Sequence, residues 1–176
     1  MPTTTAAQRA DALESLNRLA WPLDAHARAG LARDVLAWSG TDGSPRDTHR
    51  LLTGDELRTL AGRTGHAIGA HTTHHLALTT QPPETTRVEV VDHKATLERT
   101  LGRPVHLFSY PYGDFNAGTL TIVSEAGFRA AVTVEAGLVR AGANRLLLPR
   151  CEIGVRHHED FPSHLREIFD ACLPSR

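Results

Sequence analysis

Three histidines fall within five positions, His71, His74 and His75, in the segment Gly69-Ala70-His71-Thr72-Thr73-His74-His75. A short apolar run, Ala67-Ile68, precedes it. A neutral imidazole is a good ligand for zinc and similar divalent ions. His71 and His75, four residues apart on a turn leaving a buried strand, can converge on one ion if the loop is tight. The same spacing also suits surface histidines, or a loop stapled by imidazole hydrogen bonds. His74 is expected to point away from the face its two neighbours share. Thr72 is placed to hydrogen-bond within the loop and steady a ligand. Two histidines are only half of a metal site, so the remaining ligands must come from elsewhere.

Two further stretches could carry chemistry. In Tyr110-Pro111-Tyr112-Gly113, Pro111 has a fixed φ and Gly113 a permissive one. Such a loop can aim the Tyr112 backbone N–H into a cleft, where it would stabilise a developing oxyanion. The plainer alternative is a strand-to-helix turn with a packed tyrosine. Arg150 follows Leu148-Pro149 at a strand end, where a guanidinium can orient a carboxylate or hold a substrate oxygen, or simply form a structural ion pair. His157 and His158 precede Glu159-Asp160 and read as a solvated helix start.

The elements that must position these residues follow from hydrophobic spacing. Residues 6–20 and 24–39 read as two helices broken at Trp21-Pro22. Leu13, Leu16, Leu19 and Ala20 share one face of the first, and Leu31, Val35, Leu36 and Trp38 one face of the second. Asp24 can cap the second helix. Thr53-Gly54-Asp55-Glu56 matches a capping box and opens a helix to about Arg63. From Gly65 onward short apolar runs alternate with helical stretches. Strands are expected at 66–70, 104–109, 128–134 and 145–153. Helices are expected at 84–101, with Val88, Val91, Ala95 and Leu101 on one face, at 116–126 and at 159–172. This alternation predicts an α/β fold with mainly parallel strands. All three candidate stretches then sit at the carboxyl ends of strands, where such folds gather their functional residues.

Composition narrows the function. The chain has 176 residues, 40% of them hydrophobic and 22% charged, with a net charge of -1. That is one ordinary globular domain with no bulk electrostatic case for nucleic acid. No apolar run reaches membrane-spanning length. No basic-then-apolar leader opens the sequence, so the literal expectation is a cytoplasmic protein. Cys151 and Cys172 read as reduced thiols. Aromatic residues make up only 5%, so a tryptophan-lined sugar cleft is not evident.

Taken together, the motifs resemble a family. From about Leu51 to Ile153 the chain is similar to the polysaccharide deacetylases of the NodB-homology group, carbohydrate esterase family four. His71-Thr72-Thr73-His74-His75 resembles that family's H-[ST]-x-x-H metal motif. Phe108-Ser109-Tyr110-Pro111-Tyr112-Gly113-Asp114 resembles its F-x-Y-P-Y-G segment. Ala126-Gly127-Phe128-Arg129-Ala130-Ala131-Val132 and Leu148-Pro149-Arg150 match two later stretches. The resemblance implies a distorted (β/α) barrel and removal of N- or O-acetyl groups from a sugar polymer. It implies a divalent metal, zinc by preference, held by one Asp and two His, with a second Asp as base. His71 and His75 would then be metal ligands. The Tyr112 N–H would bind the oxyanion, and Arg150 would orient the base. Family relatives act at the cell envelope or outside the cell.

The resemblance also implies a T-F-D-D-G motif carrying both aspartates, and these 176 residues contain none. The expectation is therefore a partial barrel lacking its first strands. Residues 1–50 form a helical segment resembling an insertion, and residues 51–176 the C-terminal part of the domain. Asp114 is a spare carboxylate near the Tyr-Pro-Tyr-Gly loop, expected to cap the following turn. The expected function is a metal-dependent deacetylase, weak or inactive as this chain alone. The alternatives are a non-catalytic remnant binding a glycan or a partner protein, or a structural or zinc-storing α/β module. Missing strands would leave a sheet edge open to pairing. The isolated chain is then expected to be poorly stable, self-associated, or completed by another segment. Size-exclusion chromatography with light scattering, beside thermal unfolding, checks this. A monomer with a sharp transition in the absence of metal would contradict it.

Overall fold

The computed structural model describes residues 3–44, 47–152 and 160–172. His157, His158 and Ile153 lie outside the described residues. The helices are α1 (Ala6–Ala20), α2 (Ala25–Ser39), α3 (Gly54–Ala61), α4 (Pro83–Leu101), α5 (Ala117–Glu125) and α6 (Phe161–Cys172), and the two strands are β1 (Leu107–Ser109) and β2 (Ala130–Val132).

The helix starts are chemically specified. Asp24 accepts from the Ala27 N–H at 2.8 Å and opens α2. Thr53 and Glu56 form the expected capping box on α3, and Arg50 grips the same Glu56 carboxylate at 2.7 and 2.8 Å. Those bonds hold the Glu56 carboxyl down at about 2. A second capping box, Thr5 with Gln8, starts α1 and was not foreseen from the sequence. Asn116 caps α5.

The sheet is parallel and follows chain order. β1 pairs with β2, Leu107 opposite Ala130 and Ser109 opposite Val132. Ala70 bridges to Phe108 on one side, and Val132 bridges to Leu148 on the other. The strands expected at 66–70 and 145–153 thus contract to single bridges. Local chemistry explains both. Ahead of β1, the Val105 N–H is taken by the Glu98 carboxylate at 2.9 Å, and the His106 carbonyl accepts from Arg129. The Val105 N–H is thereby withdrawn from pairing with the segment before Ala70. After Leu148 the next ladder acceptor, the Thr133 carbonyl, is taken by Arg150 Nε at 2.6 Å, and the Arg150 N–H donates to the Glu135 carbonyl instead.

Phe108 stands at the centre of the core, its ring meeting Tyr110 and Phe128, each at 5.1 Å. Val90, Val105, Ile122, Val123 and Ala131 close around it. The Tyr110 hydroxyl donates to the Leu146 carbonyl at 3.0 Å, and burial pushes its pKa up to about 12.

Two expected helix faces need correction. In α4 the buried positions are Thr86, Glu89 and Val90, while Val88 is exposed. Of the expected face, Val91, Ala95 and Leu101 are half-buried and Leu101 packs against the core, so the departure lies at Val88, whose place inward Glu89 takes. In α1 and α2 the apolar stripes are present, yet Leu13, Leu19 and Trp38 remain exposed. Among the described residues, no helix is long and apolar enough to cross a membrane.

The turn after β1 depends on one glycine. Gly113 has φ +70°, and a Cβ there would stand 2.3 Å from Val134 Cγ2. Gly113→Ala is therefore expected to cost about 2–3 kcal/mol, from backbone strain and overpacking together. Thermal unfolding followed by circular dichroism should show a fall of roughly 5 °C or more. Adding Val134→Ala should restore part of it, and an unchanged midpoint would refute the account.

Candidate functional site

The histidine loop begins where the sheet ends. Ala70 donates to the Leu107 carbonyl at 2.8 Å and accepts from the Ser109 N–H at 2.9 Å, so the next residue leaves from a fixed point. His71 Nδ1 lies 2.7 Å from the Ser109 carbonyl, an acceptor only, so Nδ1 carries the proton. Nε2 is then the nitrogen with a free lone pair, the arrangement that orients a metal-ligating histidine. Thr72 is buried, and its hydroxyl accepts from the His75 N–H at 3.0 Å. Both Thr72 (φ 65°) and His75 (φ 54°) adopt left-handed backbone, unusual for residues with a Cβ. The resulting tight loop sets the His71 and His75 rings 4.7 Å apart, edge to face.

His74 turns the other way. Its Nδ1 donates to Glu89 Oε1 at 2.6 Å, and its backbone N–H to Glu89 Oε2 at 2.8 Å. Glu89 is 2% exposed, so α4 holds the loop through a buried carboxylate. Sequence reading missed Glu89, because a single glutamate in a helix carries no signal of an inward role.

Tyr112 has φ 58° and ψ 5°, in the left-handed region beside Gly113. Its ring meets His75 at 4.5 Å. Among the described residues no group accepts from the Tyr112 backbone N–H. Arg150 donates through Nε to the Thr133 carbonyl at 2.6 Å and through its backbone N–H to the Glu135 carbonyl at 2.8 Å. The capping role expected of Asp114 is corrected. Its carboxylate takes the Thr79 N–H and hydroxyl, both at 2.8 Å, and ties the Tyr-Pro-Tyr-Gly loop to the turn at Leu78–Thr80.

The hairpin of α1 and α2 reaches the same place. The Trp21 ring meets Tyr112 at 4.6 Å. Arg28 donates to the His75 carbonyl at 2.8 Å and to the Ala20 carbonyl at 3.2 Å. The two N-terminal helices therefore form one wall of the site. The low aromatic content hid this, since one tryptophan suffices at a wall already carrying a tyrosine.

Burial lowers the His75 pKa, and the nearby His71 and Arg28 charges lower it further. Burial also lowers His93, on α4, with His71 acting in the same direction and Glu89 opposing. Both rings are thus kept neutral, the form that binds metal. As donors, His71 and His75 suit a divalent ion: two imidazoles, one with its tautomer fixed and one held neutral. Among the described residues, no group of three or more His, Cys, Asp or Glu side chains could hold a metal ion. The histidine pair therefore fits two positions of a coordination sphere and leaves the rest of it open.

The family model for polysaccharide deacetylase matches residues 41–131, more than half of the chain. The chain belongs to the polysaccharide deacetylase family. The matched residues include the histidine loop, Glu89 and the Tyr-Pro-Tyr-Gly turn, while α1 and α2 precede them. Among curated proteins this chain is similar to YxkH of Bacillus subtilis (strain 168), itself named for the same family. The two are 28% identical over 102 residues, covering 58% of this chain and 36% of YxkH. Among solved structures it is similar to the Streptococcus pyogenes deacetylase PplD, determined in complex with acetate. The TM-score is 0.62 at 24% identity, covering 79% of this chain and 55% of that one. A polysaccharide deacetylase from Bacillus cereus gives a TM-score of 0.60 at 20% identity, covering 80% and 48%. These structural likenesses establish a shared deacetylase fold. The chain spans about a third of the curated relative and about half of these solved chains.

The lowered pKa values of His75 and His93 set a pH dependence. Where the folded pKa lies below the unfolded value of about 6.5, the unfolded chain binds more protons. The stability from keeping these rings neutral is complete above about pH 6.5 and is lost as pH falls through the lowered values. Urea unfolding from about pH 7.5 down to about pH 5 should show a steeper loss for the native chain than for a His75→Asn/His93→Gln variant. Parallel curves would show that these rings do not carry the effect.

Proposed function

We propose that this chain carries the histidine half of a metal-dependent deacetylation site, acting on acetyl groups of a sugar polymer. The observation that carries the reading is the His71–His75 pair, with His71 Nδ1 committed to the Ser109 carbonyl. Family membership and the deacetylase fold support the substrate class, an N-acetylated glycan or similar polysaccharide. The parallel order of the Ala70 bridge, β1, β2 and the Leu148 bridge is consistent with an arc of a distorted (β/α) barrel of the NodB type. In this reading residues 1–50 are a helical insertion and residues 51–176 the C-terminal part of that domain.

His71 and His75 would hold a divalent ion, zinc by preference, which when bound supplies Lewis-acid polarisation of the acetyl carbonyl. The chain's own groups do the rest. The Tyr112 N–H, which has no internal acceptor, would donate to the oxygen as negative charge develops there. Glu89, Arg28 and Thr72 fix the loop so that the imidazoles need not reorganise. Arg150 would orient a carboxylate base. A third metal ligand and that base must come from outside the histidine pair, the role that the T-F-D-D-G aspartates would fill. A base of this kind contributes about 10²–10⁴-fold, so activity of this chain alone is expected to be low.

Calorimetric zinc titration at neutral pH, beside a His71→Ala/His75→Ala variant, tests the reading. Saturable binding that the double variant loses by about tenfold or more is expected. Equal binding by both proteins would overturn the metal assignment. Acetate release from an acetylated glycan then separates hydrolysis from binding without turnover.

A further inference from the structure

Between the helical hairpin and the histidine pair lies a cavity of about 380 Å³, lined by Asn17, Ala20, Trp21, Arg28 and Tyr112. Trp21 and Tyr112 are 39% and 44% exposed, so each keeps ring surface open beyond their mutual contact. Tyr112 touches His75, and His75 touches His71, which makes one continuous row of rings from the cavity to the pair. The Asn17 side-chain amide has no hydrogen-bond partner among the described residues.

Arg28 is the unusual member of this wall. Its terminal nitrogens donate to the backbone carbonyls of Ala20 and His75, which are neutral acceptors. Its Nε is buried and has no partner. Among the described residues no carboxylate forms an ion pair with it. A partly buried guanidinium without a counter-charge is costly unless a ligand or solvent compensates it. Aromatic faces with a few polar groups are the ordinary make-up of a small-molecule pocket.

We propose that this cavity is a sugar subsite that takes a pyranose unit bearing a carboxylate, next to the unit whose acetyl group reaches His71 and His75. The apolar face of the pyranose packs on Trp21 and Tyr112. Asn17 serves the ring hydroxyls, and the carboxylate supplies the charge that Arg28 lacks. A neutral sugar would satisfy the rings and leave the guanidinium uncompensated. The subsite's position relative to the reacting unit rests on the proposed role of the histidine pair.

The chain has two tryptophans, so Trp38→Phe leaves Trp21 as the sole indole, and Trp38 lies at a different cavity between α1 and α2. The full chain carrying Trp38→Phe is titrated with a tetrasaccharide of alternating glucuronate and N-acetylglucosamine. A second titration uses the N-acetylglucosamine tetramer. Trp21 emission and calorimetry are read in both. A saturable change with the acidic sugar is expected, with affinity about tenfold or more above the neutral one. Raising salt from about 50 to about 500 mM should weaken only the acidic sugar. Trp21→Ala should weaken both sugars in calorimetry, and Arg28→Gln should abolish the preference. Because Arg28 also anchors the loop, Asn17→Ala and the salt series test the subsite without touching that anchor. Equal affinity for the two sugars, or no saturable response to either, would overturn the proposal. Zinc titration of the same protein separates the two readings. Zinc held by the histidines with no sugar response removes the subsite alone, whereas an acid-selective response without zinc binding upholds the subsite and removes the deacetylation reading.

Discussion

Two backbone hydrogen bonds join Ala70 to β1, and nearly everything at the site is measured from them. They fix where the chain leaves the sheet and bring the Ser109 carbonyl within reach of His71. A carbonyl belonging to the neighbouring strand thus selects the tautomer of a candidate ligand. Gly69 permits the approach, since a Cβ there would meet the Leu107 carbonyl oxygen at 3.2 Å. The sheet is short in residues, yet its central strand is packed on Phe128 and Tyr110 through Phe108. The site is therefore mounted on a strand that belongs to the buried core, as positioning by rigid elements requires.

The loop itself is held from three directions. Thr72 closes it from within, Glu89 pulls His74 toward α4, and Arg28 reaches across from α2 to the His75 carbonyl. These restraints oppose the preference of Thr72 and His75 for ordinary backbone conformations. The two left-handed residues persist because several bonds over-determine the turn.

Much of this was legible in the sequence. The spacing of His71 and His75 and the Tyr-Pro-Tyr-Gly turn marked the loops. Asp24, Thr53 and Asn116 marked helix starts through side chains with a single clear capping chemistry. What escaped depended on contacts between residues far apart in the chain. Glu89 contacts His74 across 15 residues, and Arg28 contacts His75 across 47. Neither residue type nor local period announces such a partner. Strand length was overestimated for a related reason. Apolar runs show which segments are buried, whereas the ladder ends where the Glu98 carboxylate takes the Val105 N–H and Arg150 Nε takes the Thr133 carbonyl.

The Glu89–His74 contact has a consequence for how this sequence can vary. The carboxylate is nearly inaccessible to solvent, and both of its oxygens are engaged by the one residue opposite. Position 74 is therefore bound to position 89 by a chemical requirement, although position 74 itself is half exposed. Exchanging Glu89 removes the acceptor of both His74 bonds, and exchanging His74 leaves the buried Oε1 without its donor, whereas a matched exchange at both need do neither. Drift at this pair should proceed by paired steps, and a redesign of the loop that treats position 74 as a free surface site would begin from the wrong premise.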